Sequence, residues 1–232
     1  MRLLKLSALV LAASVATGAA GASKNGGGAK KMTTAGVLKI GSGDSLTRRA
    51  PEVVYRLDAS KSKFIVRAFA GGVLWYKGHD HFVAARDFTG EARLTPGSVN
   101  PASLTLVVRT ASLAETRDVF TEQQKKIING ELHDIVLEPD KYPEIIFKST
   151  DVKADVSGRL FKVRLGGDLT LHGVTRHVTI PAEVTVDGQT LRARGEFGIK
   201  RSDFNVKATS AFHGTVRIRN RLKVIFDIVA QR

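Results

Sequence analysis

The densest group of side chains able to do chemistry is Gly78-His79-Asp80-His81, two imidazoles flanking a carboxylate. Imidazole and carboxylate both ligate Zn²⁺ and related ions, and residues i and i+2 of a strand point to the same face, so His79 and His81 would present their rings together. Two donors fall short of the four a structural zinc site takes, and nothing in the spacing of His133, His172 or His177 brings them to the pair. No metal site is assigned, and His79 and His81 stand only as weak candidates for one. The alternative is a polar loop whose side chains cap backbone groups or hydrogen-bond a ligand's head.

Two further groups have reactive residue types in settings that suit turns. In His172-Gly173 the glycine allows positive φ or close backbone approach, and in Arg201-Ser202-Asp203 the carboxylate can satisfy loop amides. There is no nucleophile elbow, no phosphate-cradling glycine loop and no paired metalloprotease histidine motif. The sequence therefore gives no catalytic residue and no cofactor, and the protein reads as a non-enzyme. A hydrolase would need a serine, a histidine and an acid converging from distant strands, which leaves no local signature.

The elements that must position these groups follow a period of two. Lys63 to Phe69, Leu104 to Arg109, Glu144 to Lys148, Leu160 to Leu165, His177 to Val186 and Leu191 to Phe197 put apolar and polar groups on opposite faces, as half-buried strands do. Leu222, Val224, Phe226 and Ile228 share one face of a last strand. About eight strands result, separated by turn residues at Thr95-Pro96-Gly97, Ser157-Gly158, Asp187-Gly188 and Ile199 to Asp203. Asp187-Gly188 is the strongest hairpin signal, because both residues tolerate the positive φ of a tight primed turn. Thr121 to Leu137 breaks the period: Thr121 and Gln124 fit a capping box, and Pro139 ends the segment. Gly130 weakens the middle of that segment by about 1 kcal/mol relative to alanine, which predicts one broken helix or two short ones.

The chain has 232 residues, 43% of them apolar and 25% charged, enough for one sizeable core. Arg2 and Lys5, the apolar run Leu6 to Val15 and Ala20-Gly21-Ala22 read as a secretory signal over 1–22. That run is too short for a spanning helix. No cysteine is present, which excludes both a lipoprotein anchor and a disulfide scaffold. Residues 23–51, rich in Gly, Ser and Lys, read as a flexible linker, leaving 52–232 as the folded domain. Without the signal the charge is +12, from 34 basic and 22 acidic residues. Arg192, Arg194, Lys200, Arg201, Arg217, Arg219, Arg221 and Lys223 recur at about every second residue, the spacing of one solvated strand face. Export argues against nucleic acid as the partner and leaves transient contact with an anionic membrane surface open. Localisation is expected to be periplasmic or secreted, and the oligomeric state is open, a dimer included.

An exported all-β domain with one helical insertion suggests a barrel or a sandwich, and eight antiparallel strands close readily into a barrel. Four segments then show a resemblance. Tyr142-Pro143-Glu144-Ile145-Ile146-Phe147-Lys148-Ser149-Thr150, Gly167-Asp168-Leu169-Thr170-Leu171-His172-Gly173-Val174-Thr175-Arg176, Asp87-Phe88-Thr89-Gly90 and Gly198-Ile199-Lys200-Arg201-Ser202-Asp203-Phe204 resemble motifs of the YceI family, and along the chain all four occur in the family's order. The resemblance spans about residues 53–230. It implies an all-β, mainly antiparallel, eight-stranded lipocalin-like barrel with one helical insertion, binding a polyisoprenoid or other long apolar chain in its lumen. The helical segment departs from the pattern of many members, having Lys125 to Leu137 in place of a histidine- and phenylalanine-containing run, which bears on ligand identity.

By alternation, the inward, ligand-facing positions are Phe64, Val66, Phe88, Leu104, Leu106, Phe147, Phe161 and Phe226, with His79 and His81 at a polar mouth. On the residues alone these eight fit a packed core as well as a cavity; the resemblance favours the cavity. The leading reading is an exported protein holding a long apolar lipid. The alternatives are a metal-binding or stress-related module using His79 and His81, and an interaction domain with a filled barrel and no ligand.

Overall fold

The computed structural model describes residues 51–95, 102–157, 160–211, 213 and 215–232. The signal segment, the linker up to residue 50, and the turn residues Pro96, Gly97 and Gly158 lie outside the described residues. In chain order the elements are β1 (Val53–Leu57), β2 (Lys63–Gly71), β3 (His81–Ala85), β4 (Phe88–Leu94), β5 (Ala102–Arg109), β6 (Leu113–Glu115), helix α1 (Glu122–Glu131), β7 (Glu144–Ser157), β8 (Leu160–Leu171), β9 (Val174–Asp187), β10 (Thr190–Lys200), β11 (Ser210–Ala211) and β12 (Val216–Gln231).

All ladders are antiparallel, and eight strands close a ring in the order β1-β4-β5-β7-β8-β9-β10-β12, with Leu57↔Ala230 bringing β12 back to β1. The eight-stranded barrel with one helical insertion is therefore the fold. The extra segments arise because three strands bend. A short turn at Ala59–Lys61 divides β1 from β2, residues 86–87 divide β3 from β4, and Thr110–Ser112 divides β5 from β6. Beyond the bends, β2, β3 and β6 pair in that order alongside β12. Hydroxyls replace ladder bonds at these bends: Ser62 Oγ accepts from Val229 N at 2.9 Å and donates to Asp58 O at 2.6 Å. Ser112 Oγ donates to Arg109 O at 2.7 Å.

Helix α1 opens with the expected capping box, Gln124 N donating to Thr121 Oγ1 and Thr121 N to Gln124 Oε1. It does not break at Gly130. The 10-residue α stretch runs directly into a π-wound turn at Leu132–Leu137, and Glu138, at φ 44°, ends it just before Pro139. Docking explains the continuity: Asn129 Oδ1 accepts from Glu115 N at 2.8 Å, and His133 Nε2 donates to Leu113 O at 2.9 Å. Side chains one turn apart thus satisfy the free edge of β6, which would otherwise present unpaired backbone groups. No helix among the described residues is long and apolar enough to cross a membrane.

The β9–β10 hairpin forms where Asp187-Gly188 places it, with its two loop residues one position later. Asp187 pairs with Thr190, and Gly188 and Gln189 make the turn, Gly188 at φ 54°. The ladder from this turn stops at Glu183↔Arg194, and Pro181, which has no N–H to donate, stands just beyond. β8–β9 and β10–β12 remain paired along their lengths, so β9 and β10 part while each keeps its other neighbour. Outside, the basic stripe is solvated and partly paired: Arg192 makes two 2.7 Å contacts to Asp227, and Lys223 meets Glu196 at 2.8 Å.

Candidate functional site

Alternation sends every second side chain of the ring inward, and these side chains leave the interior unfilled. An inner chamber of about 140 Å³ lies between β4, β5 and β7–β10, and an outer chamber of about 540 Å³ lies under α1 and the bent halves of the strands. Phe64, Val108, Ile145, Leu169 and Phe197 line both and form the neck. The outer chamber alone is within the usual range for a small-molecule site.

Six of the eight expected lumen residues line these spaces: Phe64 both, Val66 the outer, and Leu104, Leu106, Phe147 and Phe226 the inner. Leu106 stands opposite Phe147 and Phe64 opposite Phe226 in the ladders. Two positions are corrected. Phe88 is buried beside the bend after β3, its ring 6.4 Å from that of Phe64, and it fills space behind the lumen without lining it. Phe161, near the start of β8, packs against the core and reaches neither chamber. Alternation gives the direction of a side chain but not how far along the barrel the empty space extends. The same periodicity also marks lining residues not named from the sequence, Val163 and Leu165 on β8 and Ile180, Ala182 and Val184 on β9.

Two glycines shape the inner chamber. A Cβ on Gly167 would lie 2.6 Å from the Phe147 ring, and one on Gly195 would lie 2.7 Å from that of Phe226. Each ring lies flat across backbone that only glycine leaves bare.

His79 and His81, expected at a polar mouth, both line the outer chamber. Phe120 stacks on the His81 ring at 5.2 Å and meets His79 edge-on at 5.6 Å. His81 Nδ1 lies 2.8 Å from Glu115 Oε2, whose side chain is fully buried. Glu115 Oε1 also accepts from the amides of Phe82, Thr116 and Arg117. Burial pushes this carboxyl up, but the His81 hydrogen bond and the Arg117 and Phe82 amides outweigh it and hold the group below the ordinary glutamate range. Asp80 turns away from the imidazoles, accepting from Arg67 Nη2 at 2.7 Å and from Ala70 N at 3.0 Å. Burial raises its carboxyl too, and the Ala70 amide and the Arg67 guanidinium bring it below its usual value. Sequence reading missed Glu115, whose one signal is an acid in register with Leu113 on a short apolar segment. Among the described residues, no group of three His, Cys, Asp or Glu side chains is placed to hold a metal ion.

The remaining polar motifs form turns. His172 and Gly173 link β8 to β9 at φ 51° and 73°, with His172 buried against Tyr142 at 4.1 Å and 3.1 Å from Glu138 Oε2. His177 lies on the surface, 3.2 Å from Asp168. Arg201–Phe204 is a single 3₁₀ turn. Among the described residues the Asp203 carboxylate meets no loop amide and accepts from the neighbouring Ser202 hydroxyl, while the Asn220 side chain caps Ser202 N.

Residues 55–230 match the model of the YceI-like domain family. The chain belongs to that family. The YceI-like domain is 32% identical over 132 residues to Protein YceI of Escherichia coli, covering 53% of this chain and 61% of that one. It is 35% identical over 96 residues to a Vibrio parahaemolyticus relative, covering 41% and 46%. The chain thus matches about half the length of these curated relatives. Its fold is similar to that of Burkholderia cenocepacia BcnA, with a TM-score of 0.59, 24% identity, and 75% and 99% of the two chains covered. It is also similar to a polyisoprenoid binding domain from Saccharophagus degradans, with a TM-score of 0.54, 16% identity, and 76% and 97% covered.

Proposed function

We propose that this YceI-like domain is an exported carrier that holds one long apolar lipid of polyisoprenoid type, tail inward, along the two chambers. The single observation that carries the reading is an apolar lumen left open inside a closed barrel, where small barrels otherwise fill themselves. A cavity of about 150 Å³ takes one benzene-sized group. By that measure the inner chamber admits about one five-carbon unit and the outer chamber three to four. Each methylene removed from water contributes about 0.8 kcal/mol, so a chain filling both is held strongly. The described polyisoprenoid binding of the Saccharophagus domain, on the same fold, supports this ligand class.

Exchange with a membrane fits the outer end. Trp75 and Tyr76 are exposed in the turn leading to His79, and the surface is strongly basic, the combination that favours an anionic interface. Export rests on the signal pattern of residues 1–22. The test is native mass spectrometry of the mature protein, purified without detergent from the exported fraction, followed by organic extraction. A stoichiometric apolar adduct on a chain lacking the signal supports the carrier. A bare protein mass, with or without a metal increment, overturns it.

A further inference from the structure

The polar wall of the outer chamber is unevenly charged. Arg201, Lys207 and Arg217 all line it, against one carboxylate, that of Glu131 on the exposed side of α1. Glu115, which stands behind His81, is already committed to three amides and an imidazole. Among the described residues none of the three cations makes a direct ion pair; the Glu138 carboxylate, engaged by Lys141 and His172, lies close enough to Lys207 to feel its charge. Arg201 donates Nη1 to Val206 O at 3.0 Å, which ties it to its own turn. Its Nε is buried with no acceptor.

A guanidinium offers five donors, and one hydrogen bond leaves it far from satisfied. Buried donors are nearly always paired in native proteins, because an orphaned one forfeits the hydrogen bond it made to water. Apolar walls around the group lower the local dielectric, which raises the cost of the missing acceptor and the gain from supplying one. An oxyanion entering the chamber would supply it, with charge-assisted bonds about twice as strong as neutral ones.

We infer that Arg201 and Lys207 form an anion subsite that takes the acidic head, carboxylate or phosphate, of the lipid whose tail fills the lumen. The inference rests on the carrier reading for the tail and adds the chemical class of the head. Arg201 closes its turn through Nη1 and holds the head through its remaining donors. Lys207, exposed at the mouth, adds a mobile charge, and Arg217 reinforces the field from the start of β12. A tail-first orientation follows, because the inner chamber is walled almost entirely by apolar side chains and offers an ionised head nothing to bind.

The test compares three ligands with one tail, geranylgeraniol, geranylgeranoic acid and geranylgeranyl monophosphate, in binding to the delipidated full domain at low salt. Both acids are expected to bind at least about tenfold tighter than the alcohol, the scale of one hydrogen bond to a charged group. The acid-to-alcohol affinity ratio should fall about threefold in Lys207→Gln and approach one in the Arg201→Gln/Lys207→Gln double variant. Because Arg201 also holds its turn, Lys207→Gln alone keeps the test decisive if the double variant misfolds. Inorganic phosphate competing against the monophosphate but not the alcohol would show that the subsite takes a free oxyanion as well as a lipid head. Equal affinities in the unmodified protein, or a ratio unmoved by Lys207→Gln, overturn the subsite and leave the carrier intact. Failure of all three ligands to bind overturns both.

Discussion

Ala182→Phe tests whether the two chambers act as one lipid channel. Ala182 is buried on β9 opposite Val163, and both line the inner chamber. The substitution adds a phenyl ring, about the size of the benzene that a 150 Å³ cavity holds, to a space of about 140 Å³. The ring therefore plugs the inner chamber while leaving the neck and outer chamber unaltered. Filling an existing void offsets much of the 1–3 kcal/mol that overpacking typically costs, so the melting temperature should change little. A chain long enough to pass the neck loses the burial of about five carbons, roughly 4 kcal/mol at 0.8 kcal/mol each, or close to a thousandfold in affinity. A C20 alcohol, which the outer chamber accommodates on the same volume scale, should lose less than about tenfold. Competition binding of C20 and C30 polyprenols to the delipidated variant and its parent reads out the difference. Equal losses for both lengths, or no loss for the longer one, would refute a continuous channel loaded through the neck.

Other consequences are as direct. Gly130→Ala should stabilise the domain by about 1 kcal/mol, seen as a rise of about 2–4 °C in melting temperature, since no atom within 4 Å obstructs a Cβ there. Leu104→Glu, which puts a carboxylate into the apolar inner chamber, should reduce copurified lipid below about a tenth, while His79→Ala retains most of it; equal retention would sink the lumen assignment. Glu115 gives a pH signature. Its folded carboxyl titrates below the ordinary value near 4.5, so the unfolded chain takes up the proton first; the stabilisation is complete above that value and lost as pH falls through the lower folded one. Glu115→Gln should cost about 3 kcal/mol at neutral pH and flatten the fall in stability below pH 4.5, and denaturant titrations with parallel slopes for the two proteins would contradict this.

The parts of this fold legible in the sequence are those where one local rule acts alone. Leu104 and Leu106, and Leu222 to Ile228, alternate without interruption, and their strands face the lumen as that alternation requires. Thr121 and Gln124 form their cap from adjacent residues. What stayed hidden depends on distant groups. The bends at Ser62 and Ser112 lack glycine or proline, and each hydroxyl finds partners only once the barrel closes. In β7 the inward parity changes between Phe147 and Val152, because the register slips between Ser149 and Asp151; alternation read separately on either side does not show the extra residue. Gly130 reads as a helix breaker, yet Asn129 and His133 hold the helix to β6 on either side of it. Arg201 reads as a turn residue, and the turn is indeed there; the chamber beside it becomes visible only when β10, β12 and α1 are assembled.

The ladder that ends at Glu183↔Arg194 makes the barrel a split collar. Above that point β9 and β10 are hydrogen-bonded to each other as well as to β8 and β12, so the wall around Val184, Leu191 and Ala193 is held by ladder bonds on both sides. Below it, β9 and β10 share no ladder pair among the described residues, and Phe197 and Ile199 of β10 line the outer chamber. Widening there repacks side chains and breaks no ladder bond. On the carrier reading, the inner end takes the slender tip of a chain, while the outer end adjusts to methyl branches and to bulkier segments near a head. A carrier built this way would accept apolar chains that differ in thickness toward the head but share the same tip.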